Sequence, residues 1–241
     1  GTFALEQRDA NAAPPRQLRA VLGGELALGL TPDLSPAQAQ GRAALLIQSA
    51  IGQWAELAGL RLNLDCDITP QQIKTLQLAF ARDGASLGEA SVHGRFDPAK
   101  TEGRLDVALR VTDRRVLNLL GASSGLNFDL TELVSTNSVE IADGGKRLAV
   151  AGRLDALNTR LTREKAATPA LTLHGDYDLS YDRAAATALL KALTLTADQA
   201  SRPLLRARLT APMTLALRES GASAGDAALE LALTDLNLAD W

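Results

Sequence analysis

Alternation of apolar and polar side chains constrains this chain more than any other feature. Leu60, Leu62, Leu64, Cys66 and Ile68 interleave with Arg61, Asn63, Asp65 and Asp67, the period of two that belongs to a strand with one buried and one wetted face. The same rule runs through Leu76, Leu78 and Phe80; Leu105, Val107, Leu109 and Val111; Leu148, Val150 and Leu154; and Leu171, Leu173, Tyr177 and Leu179. It returns in Leu205, Ala207 and Leu209 with Arg206 and Arg208 outward, then in Leu229, Leu231 and Leu233, before a phase slip at Thr234-Asp235 that marks a bulge or a strand end. A fold built mainly of β-strands, with a few short helices, follows.

Within these strands a hexapeptide recurs: apolar, polar, Gly, charged, apolar, Asp. Its copies are Val92-His93-Gly94-Arg95-Phe96-Asp97, Val150-Ala151-Gly152-Arg153-Leu154-Asp155 and Leu173-His174-Gly175-Asp176-Tyr177-Asp178, with a looser Thr101-Glu102-Gly103-Arg104-Leu105-Asp106. At the strand period the glycine and the large apolar residue share one face, while His, Arg and Asp share the other. A glycine on the apolar face leaves room for a neighbouring side chain and lets a curved sheet bend.

Both histidines of the chain, His93 and His174, occupy the same motif position. On adjacent strands they would approach each other, with Asp97 and Asp178 nearby, as metal ligands or an acid–base pair. Ala151 at that position in the third copy favours solvated surface residues instead, and no metal site is assigned. The closing Asp97, Asp106, Asp155 and Asp178 read as turn formers. The single Cys66 lies on an apolar face and reads as a small buried hydrophobe.

Asp83-Gly84 and Asp143-Gly144 carry hairpin chemistry, and Pro98 stops a ladder after Phe96-Asp97. The succession is an antiparallel meander. Helices are expected after Thr112 or Asp113 as far as Gly121, and from Asp182 through Arg183 to Ala192. For 36–59, the spacing of Ala43, Leu46, Ile47, Ala50, Ile51, Trp54, Leu57 and Ala58 predicts a helix starting at Pro36. Gly41 and Gly52 oppose it, and a pair of strands is the alternative. The first dozen residues and 219–226 are poor in large apolar side chains and read as mobile. A soft internal boundary falls near 121–125.

With 25 basic and 28 acidic residues the chain has no basic field for nucleic acid, and aromatics at 3% leave little for a ring-lined ligand pocket. No G-x-S-x-G elbow and no glycine-rich phosphate loop is present. Neither an enzyme nor a cofactor is therefore indicated. Gly1 in place of an initiator Met, and an end directly after an apolar run, read as one section of a longer chain.

The passages Leu57-Ala58-Gly59-Leu60-Arg61-Leu62, Ile68-Thr69-Pro70-Gln71-Gln72-Ile73-Lys74-Thr75-Leu76 and Val92-His93-Gly94-Arg95-Phe96-Asp97 with Arg104-Leu105-Asp106-Val107 resemble the AsmA-like family of Gram-negative envelope proteins, of the TamB and YhdP type. That group is related to the bridge-like lipid transfer proteins. The resemblance implies a curled, elongated β-sheet (a β-taco) with an open apolar groove, strands rather than a helix after Pro36, and no catalytic residues. It implies further a periplasmic location, anchorage in the inner membrane by a segment not present here, passage of phospholipid between membranes, and possible envelope protein partners. Leu62, Leu64, Leu78, Phe80, Val92, Phe96, Leu105, Leu109, Val150 and Leu173 are the candidate lining that would meet lipid acyl chains. A closed sandwich, docking by an edge or its polar face onto a larger envelope assembly, is the alternative.

Overall fold

A computed structural model describes residues 2–9, 16–30, 36–121, 127–129, 132–163, 166–218, 221–224 and 228–234. The strands follow one another as β1 (Thr2–Asp9), β2 (Arg16–Leu30), β3 (Pro36–Ile51), β4 (Leu60–Thr69), β5 (Gln72–Arg82), β6 (Ala85–Asp97) and β7 (Glu102–Val111). Then come β8 (Asn127–Asp129), β9 (Glu132–Ala142), β10 (Arg147–Arg163), β11 (Ala166–Ala167), β12 (Leu171–Asp182) and β13 (Thr187–Gln199). The last are β14 (Arg202–Ala211), β15 (Met213–Arg218), β16 (Gly221–Ala224) and β17 (Ala228–Leu233). A 3-10 helix spans Gly52–Leu57, and α1 spans Arg114–Gly121.

The fold is one open antiparallel sheet, not closed into a barrel. Its main ladder runs β1, β2, β3, β4, β5, β6, β7, β9, β10, β12, β13, β14, β17, every neighbouring pair antiparallel. Thirteen strands at about 4.8 Å spacing make a sheet on the order of 58 Å long. The short β8 and β11 join β10, and β15 with β16 join the first part of β13. The pairing of β7 with β9 carries the sheet across the boundary expected near 121–125, where 122–126 lie outside the described residues.

Turns form where the chemistry predicts them. Asp83 and Gly84 have φ of 51° and 80°, and Asp143, Gly144 and Gly145 have 53°, 64° and 77°, so both hairpins use the positive-φ geometry that matches strand twist. Asp97 accepts hydrogen bonds from the backbone N–H of Ala99 and Lys100 at 3.0 and 3.2 Å, closing the β6–β7 turn. The expected strand end after Leu233 is present, where the Thr234 N–H reaches the Leu204 carbonyl at 2.9 Å.

The hexapeptide copies pair two by two. Gly94 stands opposite Leu105 and Phe96 opposite Gly103 across β6 and β7; Gly152 stands opposite Tyr177 and Leu154 opposite Gly175 across β10 and β12. Each glycine thus faces the large apolar residue of its partner copy. A Cβ on Gly94 would lie 2.9 Å from Leu105 Cα, and its φ of 143° is open to glycine alone. The motif therefore encodes close backbone approach and a bend.

The bending shows in the core. Buried Ala20, Ile47, Leu60, Leu87, Val111 and Val116 form one cluster, although β3 and β6 are three ladder steps apart. Leu57 of the 3-10 helix and Leu117 of α1 pack against it, so both short helices close one margin of the curled sheet. Asp113 caps α1 by accepting the Arg115 N–H at 2.9 Å and pairs with the Arg115 guanidinium at 2.6 Å, as the expected helix start requires.

Three expectations fail. Residues 36–51 are strand β3, not a helix, because the register shift between Arg19/Ala20 moves the inward positions from Leu45 and Ile47 to Ala50. That slip converts an alternating pattern into one that resembles helical spacing. Residues 183–192 are not a helix either: Asp182 caps a turn through the Ala185 N–H at 2.9 Å, and from Thr187 the chain pairs with β12 and β15. Here ladder pairing overrides the alanine propensity, again with a bulge, at Asp178/Leu179, that breaks the alternation. Residues 2–9 and 221–224, read as mobile, are strands β1 and β16, held by main-chain pairing that needs no large side chains.

Candidate functional site

Register places all ten candidate lining residues on one face. Leu62 lies opposite Phe80 and Leu64 opposite Leu78; Leu78 leads through Ala90 to Leu109, and Val92 to Val107. Phe96 stands over Gly103, Leu105 continues through Val139 to Val150, and Leu173 lies opposite Ala156. The face extends beyond them to Leu22, Leu26 and Leu28 of β2 on one side. On the other it reaches Leu190, Leu195, Leu205, Leu229, Leu231 and Leu233. The candidate lining stopped short of both wings, although the alternation of Leu205, Leu229, Leu231 and Leu233 is plain in the sequence; β2 lies before the clearest alternation, and a bulge hides the rows of β13.

Among the described residues no second layer of protein covers this aliphatic face. Leu28 is 60% exposed, Leu154 37% and Leu231 57%, all on the inward side. Cys66, as expected, is a free thiol buried at 4%. The total accessible surface is 15390 Å², against about 10,000 Å² expected for a compact chain of this mass. The sandwich alternative is therefore not realised, and the sheet is an open, curled groove with one margin closed by the helices.

Polar side chains interrupt the described interior of this face at Thr159, whose Oγ1 is buried without a partner, and again at a hydrogen-bonded group. Ser135 and Asn137 on β9 and Tyr177 on β12 flank Gly152 of β10, which is directly opposite both Asn137 and Tyr177. The Tyr177 hydroxyl donates to Asn137 Oδ1, and Asn137 Nδ2 donates to Ser135 Oγ at 3.0 Å. A Cβ on Gly152 would overlap Asn137 Oδ1, so the bridge lies over bare backbone. Only glycine at 152 allows β9 and β12 to be joined in this way.

The opposite face is polar and ion-paired. His93 faces Asp106 at 3.5 Å, and His174 Nδ1 faces Asp155 Oδ1 at 2.6 Å. Because an ionised carboxylate only accepts, the short contact places a proton on His174 Nδ1. The His174 hydrogen bond, with Arg153 at 3.0 Å, holds the Asp155 carboxyl below its ordinary range. The Arg115 side chain and N–H do the same for Asp113. Asp178 pairs with Lys191 at 3.4 Å. Of the four motif aspartates only Asp97 forms a turn; Asp106, Asp155 and Asp178 lie inside strands because the ladders run past the motif. His93 and His174 are four ladder steps apart, about 19 Å at strand spacing, so they do not form a common site.

Comparison with protein-family models, with curated proteins and with solved structures gives no match to this chain. Among the described residues no three His, Cys, Asp or Glu side chains converge on a metal-sized point. No helix among them is long and apolar enough to cross a membrane. What the site can do chemically therefore rests on its own geometry, a broad aliphatic trough with one polar bridge in its floor.

Proposed function

We propose that this chain is a section of an envelope protein that binds phospholipid acyl chains along its apolar β-groove. In that role it conducts lipid through the periplasm and contributes to outer-membrane lipid homeostasis, anchored to the inner membrane by a segment outside this chain. The observation that carries the proposal is the uncovered aliphatic face running from β2 to β17. Exposed apolar surface of this extent is unusual unless it meets a partner. Motif resemblance to AsmA-like proteins supports the same reading.

Energetics favour an acyl chain as occupant. About sixteen carbons at about 0.8 kcal/mol per buried CH₂ give a gross gain of about 13 kcal/mol, within the range of the cost of immobilising a ligand. Net affinity is then modest, which suits a surface that must release its cargo.

Native mass spectrometry of the chain, purified without detergent from a Gram-negative envelope, tests the proposal. Co-purified phospholipid is expected. A lipid-free chain that also takes up none from vesicles would overturn it.

A further inference from the structure

We propose that Ser135, Asn137 and Tyr177 form a polar station in the groove floor that selects acyl chains carrying a hydroxyl group. The inference rests on the acyl-binding reading above and adds to it a preference among chains.

Three observations carry it. First, the station gathers three hydrogen-bonded polar side chains, whereas elsewhere among the described inward positions from β3 to β14 polar residues are scattered: Thr159 in β10, with Arg82, Tyr181 and Gln199 toward the margins. Second, it is made room for, because Gly152 beneath it cannot be replaced by a residue with a Cβ without overlapping Asn137. Third, its hydrogen-bond inventory is mixed. Tyr177 donates to Asn137 and Asn137 donates to Ser135. These bonds leave the second N–H of Asn137, the Ser135 hydroxyl hydrogen and a lone pair on the Tyr177 oxygen for another group. Donors and an acceptor side by side match a hydroxyl, which both gives and accepts, better than an ester carbonyl, which only accepts.

An unsubstituted alkyl chain crossing this point would desolvate those groups and return nothing, whereas a hydroxyl replaces the water they lose. A site built to hydrogen-bond a substrate oxygen discriminates against the analogue that lacks it.

The test is calorimetric titration of the chain with stearic acid, 3-hydroxystearic acid and 12-hydroxystearic acid, the two hydroxyl positions sampling different depths in the groove. At least one hydroxylated acid is expected to bind about tenfold more tightly than stearic acid, the size of one net hydrogen bond. Tyr177→Phe and Asn137→Leu are expected to cut that preference below about twofold, with stearic acid bound more tightly because fewer polar groups are then desolvated. Ser135→Ala supplies a third variant should Asn137→Leu fail to fold. Equal affinities for all three acids, or a preference that survives in the variants, would overturn the station. Absence of binding by any of the three would overturn the acyl-binding reading itself.

Discussion

Phe96 lies directly over Gly103: a Cβ placed on the glycine would come within 2.9 Å of Phe96 Cα and 3.1 Å of its ring. At Gly152 a new Cβ would instead meet the Asn137 amide and lie 3.0 Å from the Thr136 carbonyl oxygen, whereas at Gly175 the nearest atom to a new Cβ is Leu195 Cδ1 at 3.7 Å. The motif glycines are thus not equivalent, although their sequence context is.

Substitution separates them. Gly152→Ala is expected to destabilise the chain by about 2 to 4 kcal/mol, combining overpacking with a broken hydrogen-bond bridge. Gly175→Ala is expected to be within about 1 kcal/mol of neutral, since a contact at 3.7 Å is ordinary and alanine restricts the unfolded chain. Urea unfolding of both variants checks the difference, and equal losses would contradict the packing account.

Much of this was legible in the amino-acid order. Alternation in β4, β5, β7 and β12 marks the strands, and the inward set from Leu62 to Leu173 falls on one face as the period requires. Asp83-Gly84 and Asp143-Gly144 announce their hairpins. What stayed hidden has a common cause: at Arg19/Ala20 against Ile47, and at Asp178/Leu179, one strand carries an extra residue. Such bulges shift the inward positions by one and destroy the local period. The Ser135–Asn137–Tyr177 bridge was equally invisible, because it joins residues 40 apart through a strand that lies between them.

Asp113 anchors the helix at the closed margin. Asp113→Ala removes both the backbone cap and the Arg115 pair and is expected to lower stability by about 1 kcal/mol. Asp113→Asn, which retains a capping oxygen, should recover part of that loss in the same unfolding measurement.

The pH dependence of stability has a definite sign. Hydrogen bonding to His174, then to Arg153, depresses the folded-state pKa of Asp155, and hydrogen bonding to Arg115 depresses that of Asp113. Each therefore stabilises the fold above the ordinary carboxylate range near 4, and that contribution is lost as pH falls through the lower folded value. The stability difference between the unaltered chain and Asp155→Asn is expected to be larger at pH 7 than at pH 3. A difference that is constant across this interval would contradict the assignment.

Leu154 is inward, yet 37% exposed. Leu154→Glu should change unfolding stability by less than about 1 kcal/mol, as expected of a surface position, while placing a charge in the groove. Co-purified lipid should fall markedly. Unchanged lipid content would place the acyl chains elsewhere.

The central claim is that one face of the sheet, and not the other, meets lipid. Leu109 and Ala108 are neighbours in β7 that point to opposite faces, so a photoreactive amino acid at each position tests it directly. After irradiation with phospholipid vesicles, lipid adducts are expected at 109 and at most background at 108. Equal labelling at the two positions, or labelling at 108 alone, would contradict the account.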